Sequence, residues 1–237
     1  VFIAIKAPHT NLSSRFLNRL FFFCRRFRLS HSEIAGKRIL VDCGMEQGVD
    51  TYENCQMPVL PGDVDAVCLT HAHIDHSGMI PALVAGGYNG PIYATEATYK
   101  LCDIMLKDSA HIQEFEAQWR NRKAQRSGEP AYVPLYTVAD AEKALTLFKG
   151  FPYGKKIDIF EGISLSFSDA GHLLGSASVS LTAREGTEER TVLFSGDLGN
   201  VDRPLIRDPQ MPERADYVVI ESTYGDRLHG PRPDYVT

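Results

Sequence analysis

The sequence predicts one α/β domain in which two mixed β-sheets pack together with helices outside them. Three observations carry this reading. With 237 residues and 43% hydrophobic composition, the chain can fill one core but is too short for two ordinary domains plus linkers. From Lys37 onward, short apolar runs alternate with longer stretches of helical period. Strand-type runs then crowd the second half with short turns between them, which argues against a purely parallel doubly wound sheet.

The elements follow in order. Residues 1–32 contain no Asp or Glu, carry Arg15, Arg19, Arg25, Arg26 and Arg28, and include the apolar run Leu20–Cys24. That run is too short to span a bilayer. The segment reads as a basic leader outside the fold, of the Arg-rich and acid-poor kind, and a start at Val1 without Met reads as a fragment. Strands are predicted at Arg38–Asp42, Ala66–Thr70, Ile92–Ala94, Ile157–Phe160, Ser164–Ser168, Ala177–Thr182, Thr191–Ser195 and Tyr217–Glu221. Helices are predicted after Ser77 up to Gly86-Gly87, from Glu96 to about Lys107, from Ala110 to about Arg126, and from Ala139 to Phe148. Thr137 with Asp140 makes a capping box for the last helix, and Gly150 supplies its stop. Ser127–Tyr136, with Gly128, Pro130 and Pro134, reads as a surface connection.

A formal charge of -5 argues against a surface that grips nucleic acid all over, while leaving room for a local basic patch or bound cations. Trp119, Arg120, Arg122, Lys123 and Arg126 supply such a basic face near the end of the third predicted helix, which a solvated helix surface explains as well. Cys24, Cys43, Cys55, Cys68 and Cys102 are odd in number and show no CxxC spacing. Neither a disulfide framework nor a thiolate zinc site is indicated, and a reducing cytoplasm fits.

Chemistry enters at Thr70, which ends a buried-type strand and is followed at once by His71-Ala-His73-Ile-Asp75-His76. Strand ends aim side chains into a shared site, and imidazole nitrogen and carboxylate oxygen suit zinc. Alternation puts His71 and His73 on one side; Asp75 and His76 can turn toward a second ion. Two further turns end strands in the same way: Asp169-Ala-Gly171-His172 and Ser195-Gly-Asp197. Glycine in each lets the backbone bend tightly and expose one side chain.

Together, Asp42 in Val-Asp-Cys-Gly-Met, His71-x-His73-x-Asp75-His76, His172 and Asp197 resemble the metallo-β-lactamase superfamily. Glu221-Ser-Thr-Tyr-Gly225 resembles the opening motif of its β-CASP branch, which includes the polyadenylation-factor endonuclease, bacterial ribonuclease J and prokaryotic RNA-processing hydrolases. The resemblance spans roughly residues 33–229. It implies an αββα sandwich that is incomplete at the C-terminus, with residues 33–222 forming the metallo-β-lactamase domain and 223–237 opening a truncated insertion.

The resemblance also implies two Zn2+ ions. His71, His73 and His172 are the ligands of one, Asp75 and His76 those of the other, and Asp197 bridges both. It gives Asp42 the role of orienting a ligand, Asp75 that of steering the attacking hydroxide, and Glu221 a place near the leaving group. Two departures are expected: residues 1–32 do not match the family's opening strand, leaving one sheet without an edge, and further histidines of the branch lie beyond Thr237. His229 matches no motif and reads as a surface residue. The function expected is a zinc-dependent phosphodiester hydrolase acting on RNA, cytoplasmic, without membrane contact, and a homodimer. A thioester or lactone hydrolase of the same fold and a non-catalytic scaffold subunit of an RNA-processing complex are the alternatives.

Overall fold

The computed structural model describes residues 2–6, 22–24, 29–46, 57, 59–127, 130–212 and 214–226. One sheet runs in chain order through β2 (Phe22–Cys24), β3 (Leu29–Ile34), β4 (Lys37–Val41), β5 (Ala66–Cys68), β6 (Ile92–Thr95) and β7 (Phe148–Phe151). Its first two pairings are antiparallel and the last three parallel. The other sheet has the order β1 (Phe2–Lys6), β12 (Tyr217–Glu221), β11 (Glu188–Phe194), β10 (Ala177–Glu185), β9 (Ile163–Asp169) and β8 (Ile157–Phe160). It is antiparallel except where β11 and β12 run parallel, with Val192 opposite Tyr217.

The period of two along each strand builds two cores. Ile39, Val41, Ala66 and Cys68 face the second sheet, where they meet Leu165, Phe167, Val179, Leu181, Val192 and Phe194. Leu40, Val67 and Leu69 face the other way, against α2 (Ile80–Ala85), α3 (Glu96–Ser127) and α4 (Val138–Leu145). Phe167 is fully buried at the centre of the inter-sheet core, and its truncation to Ala would cost about 3–5 kcal/mol. Helix, sheet and sheet are thus three of the four expected layers. Among the described residues no helix covers the outer face of the second sheet, whose strands present Ser164, Ser178, Ser180 and Thr182 there.

The structure differs from the sequence expectations at β1, at β2 and the start of β3, at α3 and at β7. Phe2–Lys6, Phe22–Cys24 and the start of β3, expected outside the fold, carry paired strands, and β1 borders β12 at a sheet edge that was expected to be missing. An open edge presents a row of unpaired N–H and C=O groups that any extended segment can satisfy. The two predicted helices over 96–126 are one, because no Gly or Pro interrupts them and Ser109 turns inward to bond the Tyr136 hydroxyl at 2.9 Å. Phe148–Phe151, expected as a helix end, is instead the parallel neighbour of β6, where tertiary pairing outweighs local period.

At α4 and the connection before it, expectation and structure agree. Thr137 and Asp140 form the capping box of α4, and residues 130–136 connect α3 to it without regular structure. Cys43, Cys68 and Cys102 are buried free thiols; burial, helped by the charge of Asp42, pushes Cys43 up to about 12, so it packs as a small apolar group. Cys55 and His229 lie outside the described residues. No helix among the described residues is long and apolar enough to cross a membrane.

Candidate metal centre

Three turns at the ends of strands meet at one place. The first follows β5: Leu69 enters the core, Thr70 and His71 are buried, and His73 caps the short helix α1 (Ile74–Ser77). Extended backbone over residues 71–73 sends Ala72 into the core and both flanking imidazoles to the opposite side. The loop after β4 holds this turn from behind. Cys43 N–H donates to the His76 carbonyl at 2.7 Å, and Met45 N–H to the Ile74 carbonyl at 2.9 Å. Gly44 passes so close to the Asp75 carbonyl that a Cβ could not fit.

The second turn follows β9, where Gly171 takes a φ of 64° and Ser176 Oγ accepts from the His172 and Leu173 N–H groups at 3.0 and 3.2 Å. The third follows β11, where Gly196 takes a φ of 60° and presents Asp197. These two turns interlock: Gly199 N–H donates to the Ala170 carbonyl at 2.9 Å, and Gly199 has no room for a Cβ against the Gly171 carbonyl. Glycine is required at both approaches because another backbone occupies the space a side chain would take.

The result is two overlapping sets of donor atoms. His71, His73 and His172 form one, and His71, His76 and Asp197 the other, each within 4.8 Å of one another. His71 Nε2 and His172 Nε2 stand 3.0 and 3.3 Å from His73 Nδ1. Asp197 reaches His76 Nε2 at 3.2 Å with one oxygen and His172 Nε2 at 3.9 Å with the other. Asp42 sits directly behind. Its Oδ2 lies 2.8 Å from His76 Nδ1, and it accepts from the Thr70 N–H and hydroxyl at 2.8 and 2.9 Å. These three donors are what allow a carboxylate to be buried there.

The electrostatics suit cation binding. Burial, reinforced by His76, His73 and His172 nearby, holds His71 well below the usual imidazole range, and burial lowers His172 as well. Both therefore offer lone pairs at neutral pH. His76 is the exception: burial works against its charge, but Asp42 and Asp197 outweigh that and push it up to about 9. A divalent cation bound there would take the place of that proton. The donors are imidazole and carboxylate, with every nearby thiol buried and protonated, which fits zinc and similar divalent metals.

Of the residues singled out in the sequence, His71, His73, His76, His172 and Asp197 are brought together and Asp42 lies behind His76. Asp75 stands on α1 beside them but belongs to neither donor set. Glu221 ends β12 and its Oε1 accepts from the Leu198 N–H at 2.6 Å, bracing the turn that carries Asp197. The sequence marks Thr70 only as a strand end and Gly44 only as part of a motif, and assigns no role to Ser176 or Gly199. Glycine beside each motif acid, in Asp42-Cys-Gly44 and Asp197-Leu-Gly199, was the available signal for two of them.

A cavity of about 550 Å³ opens from His172 and Asp197 past Glu221 and Tyr224 to Arg203. Arg203 is exposed and makes no ion pair among the described residues. Its loop is unusual: Asp202 and Leu205 both have positive φ, 56° and 67°, and the Asp202 N–H donates to Asp208 Oδ1 at 2.7 Å. Left-handed backbone at leucine is uncommon and often marks a functional position.

The Metallo-beta-lactamase superfamily profile matches residues 33–235. The chain is 42% identical over 197 residues to "Ribonuclease TTHA0252" of Thermus thermophilus, covering 83% of this chain and 40% of that protein. It is 34% identical over 195 residues to "Transcription termination factor FttA" of Methanococcus maripaludis, covering 79% and 28%. It is 28% identical over 198 residues to "RNase aCSPSF2" of Saccharolobus solfataricus, covering 83% and 36%. The chain thus spans well under half the length of these relatives.

Proposed function

We infer that this chain, which belongs to the metallo-beta-lactamase superfamily, is the metal-binding part of a hydrolase of the β-CASP branch that cuts RNA phosphodiester bonds with two zinc ions. The observation that carries the metal reading is the pair of donor sets sharing His71, which suits two neighbouring cations. His71, His73 and His172 would hold one, His76 with Asp75 the other, and Asp197 would reach both. Bound there, a zinc pair supplies Lewis acidity and a water whose pKa falls toward neutrality. The names of the relatives and Glu221-Ser-Thr-Tyr-Gly225 support RNA over other substrates of the fold, since metal chemistry alone does not choose among them.

The chain's own residues do the positioning. Asp42 accepts from His76 Nδ1, so His76 turns Nε2 toward Asp197. Such outer partners typically matter tenfold to a hundredfold in metal affinity. Glu221 holds the Leu198 amide and through it the backbone beside Asp197. Among the described residues Arg203 is the one cation lining the cavity; it would meet a phosphate adjacent to the scissile one and offset the two carboxylates of that wall.

The test uses the 237-residue protein with zinc, a labelled single-stranded RNA and, in parallel, a small thioester. Release of nucleotides that stops with EDTA and returns with zinc, at two metal ions per chain by elemental analysis, is the expected result. Thioester turnover with intact RNA would replace this reading with the small-molecule one.

A further inference from the structure

Helix α3 extends well beyond the metal centre where it begins. Thr98, in its first turn, donates its hydroxyl to the Gly175 carbonyl at 2.8 Å, three residues from His172. Cys102, Leu106, Ala110 and Ala117 bury one face of the helix. A different face presents Ile112, Phe115 and Trp119, at 53%, 65% and 59% exposure, spaced three and four apart so that they form one stripe.

Cations gather where that stripe ends. Residues 117–125 include Arg120, Arg122 and Lys123 and no acidic residue. Lys123 Nζ lies 5.9 Å from the centre of the Trp119 ring, and the Arg120 guanidinium 4.5 Å from that of Tyr132. Glu116 offsets part of the Arg120 charge at 3.7 Å, whereas Arg122 and Lys123 make no ion pair among the described residues. Tyr132 comes from the following connection and is clamped in place: Asn121 Nδ2 donates to its carbonyl at 2.9 Å, and its N–H donates to Asn121 Oδ1 at 2.6 Å.

The helix dipole accounts for cations near a C-terminal end. It does not account for exposed aromatic rings among them. An apolar protein partner is poorly served by charges lying over the rings, whereas unpaired bases stack on such rings while the neighbouring cations take the phosphates.

We propose that this end of α3, together with Tyr132, is a second contact surface for single-stranded RNA, with Phe115, Trp119 and Tyr132 as stacking platforms and Arg122 and Lys123 as phosphate contacts. The proposal rests on reading the chain as an RNA hydrolase. Thr98 and Trp119 are about 30 Å apart along a helix rising about 1.5 Å per residue. Only an RNA long enough to cover that distance engages both the surface and the metal centre.

Trp119 is the single tryptophan of the chain, so its emission reports on this surface directly. The 237-residue protein is titrated with a long oligouridylate in EDTA, which prevents cutting, while tryptophan emission and the anisotropy of a labelled copy of the RNA are both followed. Emission is expected to change in step with binding. W119A and the R122E/K123E variant are each expected to weaken long-RNA binding by about tenfold or more, with zinc content and cutting of a dinucleotide unchanged.

RNA that binds without altering Trp119 emission, and binds the variants as tightly as the parent, overturns the proposal and leaves the hydrolase reading standing. Failure of the parent protein both to bind and to cut RNA overturns the two together. Emission that depends on protein concentration with no RNA present marks a contact between copies of the chain and also overturns it.

Discussion

The two halves of the metal centre are built differently. His76 and Asp42 have almost no exposed side chain, 0% and 5%, whereas His172 and Asp197 keep 28% and 16%. The closed half is a side-chain network rooted in the core, in which Asp42 joins Thr70 and His76. The open half is two glycine turns laid against each other and braced by Glu221. Packing therefore fixes His76, while His172 and Asp197 line the cavity and depend on backbone geometry.

The largest effect should come where the halves meet. Asp197→Ala removes the carboxylate that faces both His76 and His172. It is expected to lose bound metal and to lower RNA cutting by at least about a hundredfold, checked by elemental analysis and turnover. Metal retained at two ions per chain would show that the two donor sets do not act as one centre.

Asp42→Ala tests the closed half. It strands His76 Nδ1 and both Thr70 donors in a buried place, so metal affinity should fall by about 10- to 100-fold and stability by about 1–3 kcal/mol. Competition with a zinc chelator reads the first and denaturant unfolding the second. Loss of affinity without loss of stability would mean that this half is not rooted in the core.

The paired glycines sharpen the contrast. Gly44→Ala drives a Cβ into the Asp75 carbonyl and should cost about 1–3 kcal/mol, lowering Tm by roughly 3–10 °C. Gly199→Ala meets the Gly171 carbonyl between two turns that border the cavity and have open space on one side into which to separate, so it should spare Tm by comparison while lowering metal content. Equal losses of Tm would erase the distinction between the halves.

Arg203→Ala should have the smallest effect. Exposed and without an ion pair among the described residues, Arg203 contributes little to stability. Its removal should weaken RNA binding severalfold and reduce the salt dependence of that binding by about one charge. Unchanged salt dependence would take Arg203 out of the substrate path.

Much of this organisation was legible in the sequence. His71, His73, His76, His172 and Asp197 were each marked by a strand that stops and a turn that follows, both short-range features. Their supporting residues were less visible, because Thr70 and Ser176 look like ordinary strand-end residues until their partners are known. Glu221 carried a recognisable motif, but that its carboxylate bonds the Leu198 amide depends on how β11 and β12 lie side by side.

By itself the sequence determined which chemistry is present: nitrogen and oxygen donors at strand ends, no thiolate set, and enough apolar alternation for two sheets and a helical layer. The tertiary structure alone decided which donors share a site, that His71 belongs to both sets, that residues 96–127 are one helix, and that Phe148–Phe151 is a strand. The reason is range. Periodicity and turn chemistry act over a few residues and leave their mark in order along the chain, whereas convergence of positions 71, 172 and 197 depends on pairings between strands whose register no local stretch specifies.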